Sequence, residues 1–144
     1  MPALKVLKMT EQELNKTIVR RFNHEVLEQE SFTAFQEIVS RGFINHTAPA
    51  GVDNGFQATF DFIGQVMKKA FPDLKVEIKD MVAEGNKVFT YKLFHATHTG
   101  DFMGIKGSGK QVVMPVMDII YLKGGMYTDH WSIRDIQDVL KKAL

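Results

Sequence analysis

Apolar residues recur every third or fourth position through the first half of the chain and every second position through the second half. Leu14, Ile18, Phe22 and Val26 stand at steps of four between residues 10 and 28, which predicts one amphipathic helix. Thr10-Glu11-Gln12-Glu13 opens it as a capping box, since the threonine and Glu13 can each satisfy an orphan backbone donor. A second helix is predicted over 31–40, with Phe35, Ile38 and Val39 inward, stopping at Gly42. The run FINHTAPAGVDNG, 43–55, is rich in Gly, Asn and Pro and reads as an irregular connection. Asn54 with Gln57 then caps a third helix, 54–71, that carries Phe56, Phe60, Ile63, Met67 and Phe71 until Pro72 ends it.

From Leu74 the period becomes two. Leu74, Val76 and Ile78 alternate with Lys75, Glu77 and Lys79, and Gly85-Asn86 turns the chain into a strand from Lys87 to about His98. Strict alternation would bury Asp80; a β-bulge near Lys79 turns it out and brings Met81 and Ala83 in, and this is the reading preferred, because a lone buried carboxylate is costly. A glycine-rich link leads to strands over 111–122 and 126–133, joined at Lys123-Gly124-Gly125, and 135–144 is a terminal helix. The order predicts a single α+β domain over 1–144: three helices on one face of a curved, mainly antiparallel sheet, with a short C-terminal helix.

Charge narrows the functional classes. Eighteen Lys+Arg stand against 17 Asp+Glu, without a basic stripe, so nucleic acid is not an expected partner. The opening MPALKVLKM holds no signal-type apolar run, and no segment approaches ~18 consecutive apolar residues; a soluble, cytoplasmic protein without a membrane partner is expected. The chain has no cysteine, which removes thiol chemistry and Cys-ligated zinc.

Gly104-Ile105-Lys106-Gly107-Ser108-Gly109-Lys110-Gln111 nearly spells a phosphate-binding loop, but that motif must open a helix and a β-branched strand follows here. His95 and His98, three apart on a strand, point to opposite faces, and no His-Glu-x-x-His helix exists; no metal site is expected. The last hairpin is more informative. A three-residue Lys123-Gly124-Gly125 loop would set Asp118 opposite His130, Cβ atoms ~5 Å apart, whereas a two-residue Gly-Gly turn would set Asp118 opposite Trp131. Both faces of the 111–122 strand are largely apolar, so Asp118 is expected to lose water and to have a raised pKa, suited to proton exchange near neutrality. The bland alternative is a satisfied structural pair.

Four stretches carry a family resemblance: FINHTAPAG (43–51), FPDLKVEIKDMVAEGNKV (71–88), THTGDFMGIKGSGKQV (97–112) and DIIYLKGGMYTDHW (118–131). With the helices between them they resemble the SnoaL-like polyketide cyclase or predicted ester cyclase family across nearly the whole chain. The resemblance implies the cone-shaped α+β barrel fold shared with nuclear transport factor-like and cystatin-like proteins, helices lying in the concavity of the sheet. It also implies a deep apolar pocket for a small carbonyl compound, no cofactor or metal, and a homodimer packed through the sheet. It further implies an interior aspartate that abstracts a proton so that an enolate can close a ring. Asp118 matches that aspartate, His130 and Trp131 the family's His-Trp pair, and Asn45 and His46 its early polar-His pair. Asp118 and His130 are thus the candidate catalytic residues; Asn45, His46, Tyr91, His98 and Trp131 are candidates for substrate binding. Tyr91 departs from the family pattern, standing where many members carry arginine, and Asn86 replaces an acid.

Three classes of function follow: an enzyme abstracting a proton from a carbonyl compound in a cyclisation, isomerisation or dehydration; a ligand-binding or stress-response protein without chemistry; and an interaction module using the outer face of its sheet. Asp118 and His130 paired in a cavity would favour the first.

Overall fold

The computed structural model describes residues 9–144; the opening tract up to Lys8, read above for its lack of a signal-type run, lies outside them. The capping box forms as expected: Glu13 N–H donates to Thr10 Oγ1 and Thr10 N–H to Glu13 Oε2. The first helix runs Glu11–Arg21 and continues as a wide, π-type segment over Phe22–Glu28. Its buried face keeps Val26, with Ile18 and Phe22 packed against the core, but departs from the expected apolar stripe at Leu14 and at two polar positions. Leu14 is 45% exposed, while Asn15, Val19, Asn23, Val26 and Leu27 are buried. Two asparagines thus occupy the inward face, and the wide turn carries Asn23 there; such segments often mark functional positions.

The second helix is shorter than predicted, Phe32–Ile38, because Val39 turns into a strand. This strand, β1, Val39–Asn45, was expected to be the end of a helix and a loop. Its sequence lacks the alternating period because it has two exposed residues in succession, Arg41 and Gly42, where its register slips. The third helix spans Phe56–Phe62 and continues through Ile63–Met67 to Lys68–Ala70. Gly55, not Asn54, precedes it, and Asp53 rather than Gln57 stabilises the entry by accepting from Gly55 N–H.

Strands β2 (Lys75–Glu84), β3 (Lys87–Thr97), β4 (Gln111–Lys123) and β5 (Met126–Arg134) follow, then a terminal helix, Ile136–Lys142. The sheet order is β1-β5-β4-β3-β2, antiparallel except for the parallel β1–β5 pair. The curved sheet has two free edges, so the cone is open rather than a closed barrel. The bulge in β2 falls between Ile78 and Asp80 and buries Met81, as expected. The helices pack on one face through Val19, Val26, Phe35, Phe56 and Ile63. Phe35 sits among Phe22, Phe56 and Phe60 with ring centroids 4.9–6.4 Å apart, in the offset arrangements that aromatic quadrupoles favour. At the other end, Gly100 lets the chain after β3 pass the third helix: a Cβ there would stand 2.5 Å from the Lys69 carbonyl oxygen.

Candidate active site

The β4–β5 turn is the two-residue kind. Gly124 and Gly125 have φ of 58° and 77°, and Lys123 pairs with Met126. Positive φ at both central positions makes the tight turn whose twist matches the strands. That register alone would set Asp118 opposite Trp131. It does not persist, because the pairing shifts between Leu122↔Tyr127 and Tyr121↔Asp129, leaving Thr128 as an extra residue whose hydroxyl donates to the Tyr121 carbonyl. Beyond this bulge Ile120 faces His130 and Asp118 faces Ser132. The direct Asp118–His130 pairing expected from a three-residue loop is therefore corrected to a diagonal one. The bulge keeps Tyr127 inward and brings His130, Ser132 and Arg134 to the same face, sending Trp131 to the other.

The inward residues of β4 are Met114, Val116, Asp118, Ile120 and Leu122, all buried. Those of β3 include Thr90, Lys92 and Phe94. Between this face and the first and third helices lies a cavity of about 140 Å³, walled by apolar groups such as Phe22, Ile63, Phe102 and Val116. Its size is near that of an engineered cavity of about 150 Å³ that takes up benzene.

Asp118, Lys92, Asn23, Asn45 and His130 all line it. Lys92 Nζ lies 2.9 Å from Asp118 Oδ2, with side chains only 4% and 6% exposed. Nζ also donates to Asn23 Oδ1 at 2.8 Å, and Asn23 Nδ2 donates to the Val19 carbonyl at 2.8 Å. His130 Nε2 stands 3.6 Å from Asp118 Oδ2. The other carboxylate oxygen, Oδ1, is buried without a hydrogen-bond partner, as is the hydroxyl of Thr90 in the facing cross-strand position. Burial pushes the Asp118 carboxyl up, but the Lys92 ammonium and the His130 ring outweigh it and hold the pKa down at about 2. The raised value expected from an apolar strand is overturned, because β3 supplies a counter-charge that β4 alone does not reveal.

Asn45, at the end of β1, orients the histidine. Its Oδ1 accepts from Thr47 N–H and Thr47 Oγ1, which fixes that atom as oxygen, and so receives the His130 Nδ1 proton at 3.1 Å. A neutral ring tethered in this way presents its Nε2 lone pair toward Asp118, and a protonated ring presents an N–H there. Thr47 Oγ1 also accepts from Ser132 N–H, and the two hydroxyls are 3.2 Å apart. Ser132 Oγ accepts from Arg134 Nη1 at 2.8 Å. Polar contacts thus run from Arg134 on the rim, through Ser132, Thr47, Asn45 and His130, to Asp118 and Lys92.

The remaining predicted site residues lie elsewhere. His46 stacks on Trp131, ring centroids 4.1 Å apart, and its Nε2 lies 2.8 Å from Asp129 Oδ2. Tyr121 packs on the same tryptophan at 4.8 Å. Tyr91 sits opposite Met117, which is 44% exposed. All belong to the outer side of the sheet, one residue out of phase with the cavity face. His98 is fully buried against Phe71, with neither ring nitrogen bonded, outside the cavity. The sequence reading missed Lys92, Asn23, Tyr127 and Arg134. A signal existed for Lys92, since it shares a period-two face with Val88, Thr90, Phe94 and Ala96. Its neighbours Phe89, Tyr91 and Leu93 make the opposite face equally apolar and hide it. Tyr127 is wholly buried, stacked on Phe22 at 4.8 Å, and burial together with the Asp118 charge raises its pKa well above the ordinary value. Among the described residues no three His, Asp or Glu side chains gather as a metal set, and no helix is long and apolar enough to cross a membrane.

A family model of SnoaL-like polyketide cyclases matches residues 17–143. The chain belongs to the SnoaL-like polyketide cyclase family. Among solved structures it is similar to a SnoaL-like polyketide cyclase assigned in Jannaschia sp. CCS1, with TM-score 0.80, 23% identity and coverage of 93% and 94% of the two chains. A protein assigned as a polyketide cyclase in Acidithiobacillus ferrooxidans matches with TM-score 0.78 and 25% identity over 93% and 96%. AclR of Streptomyces galilaeus, assigned as a hydroxylase, matches with TM-score 0.75 and 21% identity over 89% and 79%. No curated protein matches the chain. The family supports a cyclase-type enzyme in general.

Proposed function

We propose that the protein abstracts a proton from the carbon next to a ligand carbonyl, using Asp118 as base and no cofactor, so that the enolate can cyclise, isomerise or eliminate. The observation that carries this reading is the unpartnered Asp118 Oδ1 beside an apolar cavity, with the Lys92 ammonium fixed on the sister oxygen. A carboxylate held near pKa 2 is a weak base. A ligand carbonyl that takes one proton of Lys92 Nζ as a hydrogen bond shares the cation, acidifies its own α-carbon and frees Asp118 to accept the proton. Negative charge then passes from Asp118 to the ligand oxygen while Lys92 remains its counterion, so the buried site stays neutral throughout. His130, tethered by Asn45, is the candidate for moving that proton on. A small aromatic ketone such as 1-indanone suits the cavity, and deuterium exchange at its α-carbon, followed by NMR, reports the base directly. The wild type should exceed buffer, and Asp118→Asn should lose ~10²-fold or more. Exchange at the wild-type rate in a folded Asp118→Asn protein would refute the assignment.

Self-association belongs to the same reading. Phe89, Val113, Met117 and Ile133 are 37–80% exposed on the outer side of the sheet, and a second copy of the chain is the partner proposed for them.

A further inference from the structure

Arg134 is the charged group that the proposed chemistry leaves unused. It follows His130 and Ser132 on the inward face of β5, lines the cavity where it opens, and is solvent-exposed. Among the described residues no carboxylate lies within 4 Å of it, and its hydrogen bond goes to Ser132 Oγ, leaving the rest of its donor fork open. Ser132 is itself fixed through Thr47 and Asn45, so the guanidinium rests on an ordered support. Lys92, the other cation of the cavity, is neutralised by Asp118. Asp53 is the one further acid on the lining, and its Oδ1 is engaged by Gly55 N–H. The lining thus carries two cations and two carboxylates, of which only Lys92 and Asp118 are in contact, so the Arg134 guanidinium stands at the mouth with no carboxylate touching it.

The floor points to a ligand as well, since the buried Asp118 Oδ1 lacks a donor. Arg134 pairs with Val116, and Asp118 lies two residues farther along β4, an offset of ~7 Å along the strand and ~5 Å across. A compact molecule can therefore touch both ends.

We infer that the ligand is an apolar carbonyl compound bearing an ionised carboxylate, which Arg134 holds at the mouth while the carbonyl reaches Lys92 and Asp118. The inference rests on the proposed reading for the placement of the carbonyl end, and the anion site itself stands on Arg134. A planar guanidinium fork matches a carboxylate better than an ammonium does, so Arg134 selects the acid over its neutral analogues.

The test uses 4-phenylbutyrate and its neutral isostere 4-phenylbutyramide, titrated calorimetrically at low salt. The wild type should bind the acid about tenfold more tightly, and 0.5 M NaCl should shrink that ratio. Arg134→Gln should bring the ratio to within twofold of unity at an unchanged melting temperature, with Arg134→Lys intermediate. Equal binding of both probes by the wild type, saturation by neither in the millimolar range, or a preference for the acid that survives Arg134→Gln would each overturn the inference. Charge selection that depends on Arg134, together with 1-indanone exchange that ignores Asp118→Asn, would retain the anion site and reject the catalytic reading.

Discussion

Replacing Lys92 by methionine keeps most of the volume of the side chain and removes the cation. Asp118, 6% exposed, then keeps only the His130 ring at 3.6 Å and the more distant Arg134 guanidinium to set against its charge. In the wild type its pKa falls from an ordinary 3.8 to about 2, a difference on the order of 2 kcal/mol. Because the folded value is the lower one, that stability is present above the unfolded pKa and lost as pH falls toward 2. Without Lys92 the sign reverses: burial pushes the folded pKa above the unfolded one, so folding favours the protonated acid and stability rises as pH drops toward ~4. Breaking a buried pair from one side costs ~3–5 kcal/mol, so Lys92→Met should lower the melting temperature at pH 7 by about 10 °C. Urea denaturation at pH 7, 6, 5 and 4 should show the gap to wild type narrowing as pH falls. The double variant Lys92→Met, Asp118→Leu should recover most of the loss, since an apolar pair of similar volume is often neutral. A gap below ~1 kcal/mol at pH 7, or one of constant size down to pH 4, would show that the pair carries no buried charge interaction and would refute the reasoning.

Two further outcomes probe other parts of the molecule. His98 is fully buried with both ring nitrogens unpartnered, so His98→Phe should leave the melting temperature unchanged or raise it, since an unsatisfied polar ring is exchanged for an apolar one; a fall of more than about 5 °C in thermal unfolding would mean that the imidazole has a partner or a role. Met117, at the centre of the outer side of the sheet and 44% exposed, should tolerate lysine as a folded chain, while light scattering reports a shift from dimer to monomer. A wild type that is monomeric at micromolar concentration would remove that interface.

The elements with a clean period were legible. Four strands, the terminal helix, the capping box and the bulge that exposes Asp80 appear where the pattern sets them, because each follows from local propensity and the need to hide apolar groups. β1 was not legible: it is held by parallel pairing with β5, a partner 85 or more residues away, and its own residues show no alternation. Leu14 was misjudged because the inward face of the first helix follows its tertiary partners. Asn23 turns in to meet Lys92, and leucine is left on the outside.

At the site, the sequence by itself determined which residue types were available: an aspartate at the head of a long strand, a histidine beside the only tryptophan, and two glycines between them. The double glycine allowed the tight turn, since both positions need positive φ, but left a three-residue loop equally open. Only the tertiary structure decided which of His130 and Trp131 faces the cavity. That choice depends on one extra residue at Thr128, and a single-residue slip in a strand of period two sends every later side chain to the opposite face. The charge state of Asp118 was settled in the same way, by a lysine from a neighbouring strand and an asparagine from a helix. Electrostatic energy depends on distance in space, and three residues remote in the chain reach that distance only once the sheet has curved around the helices.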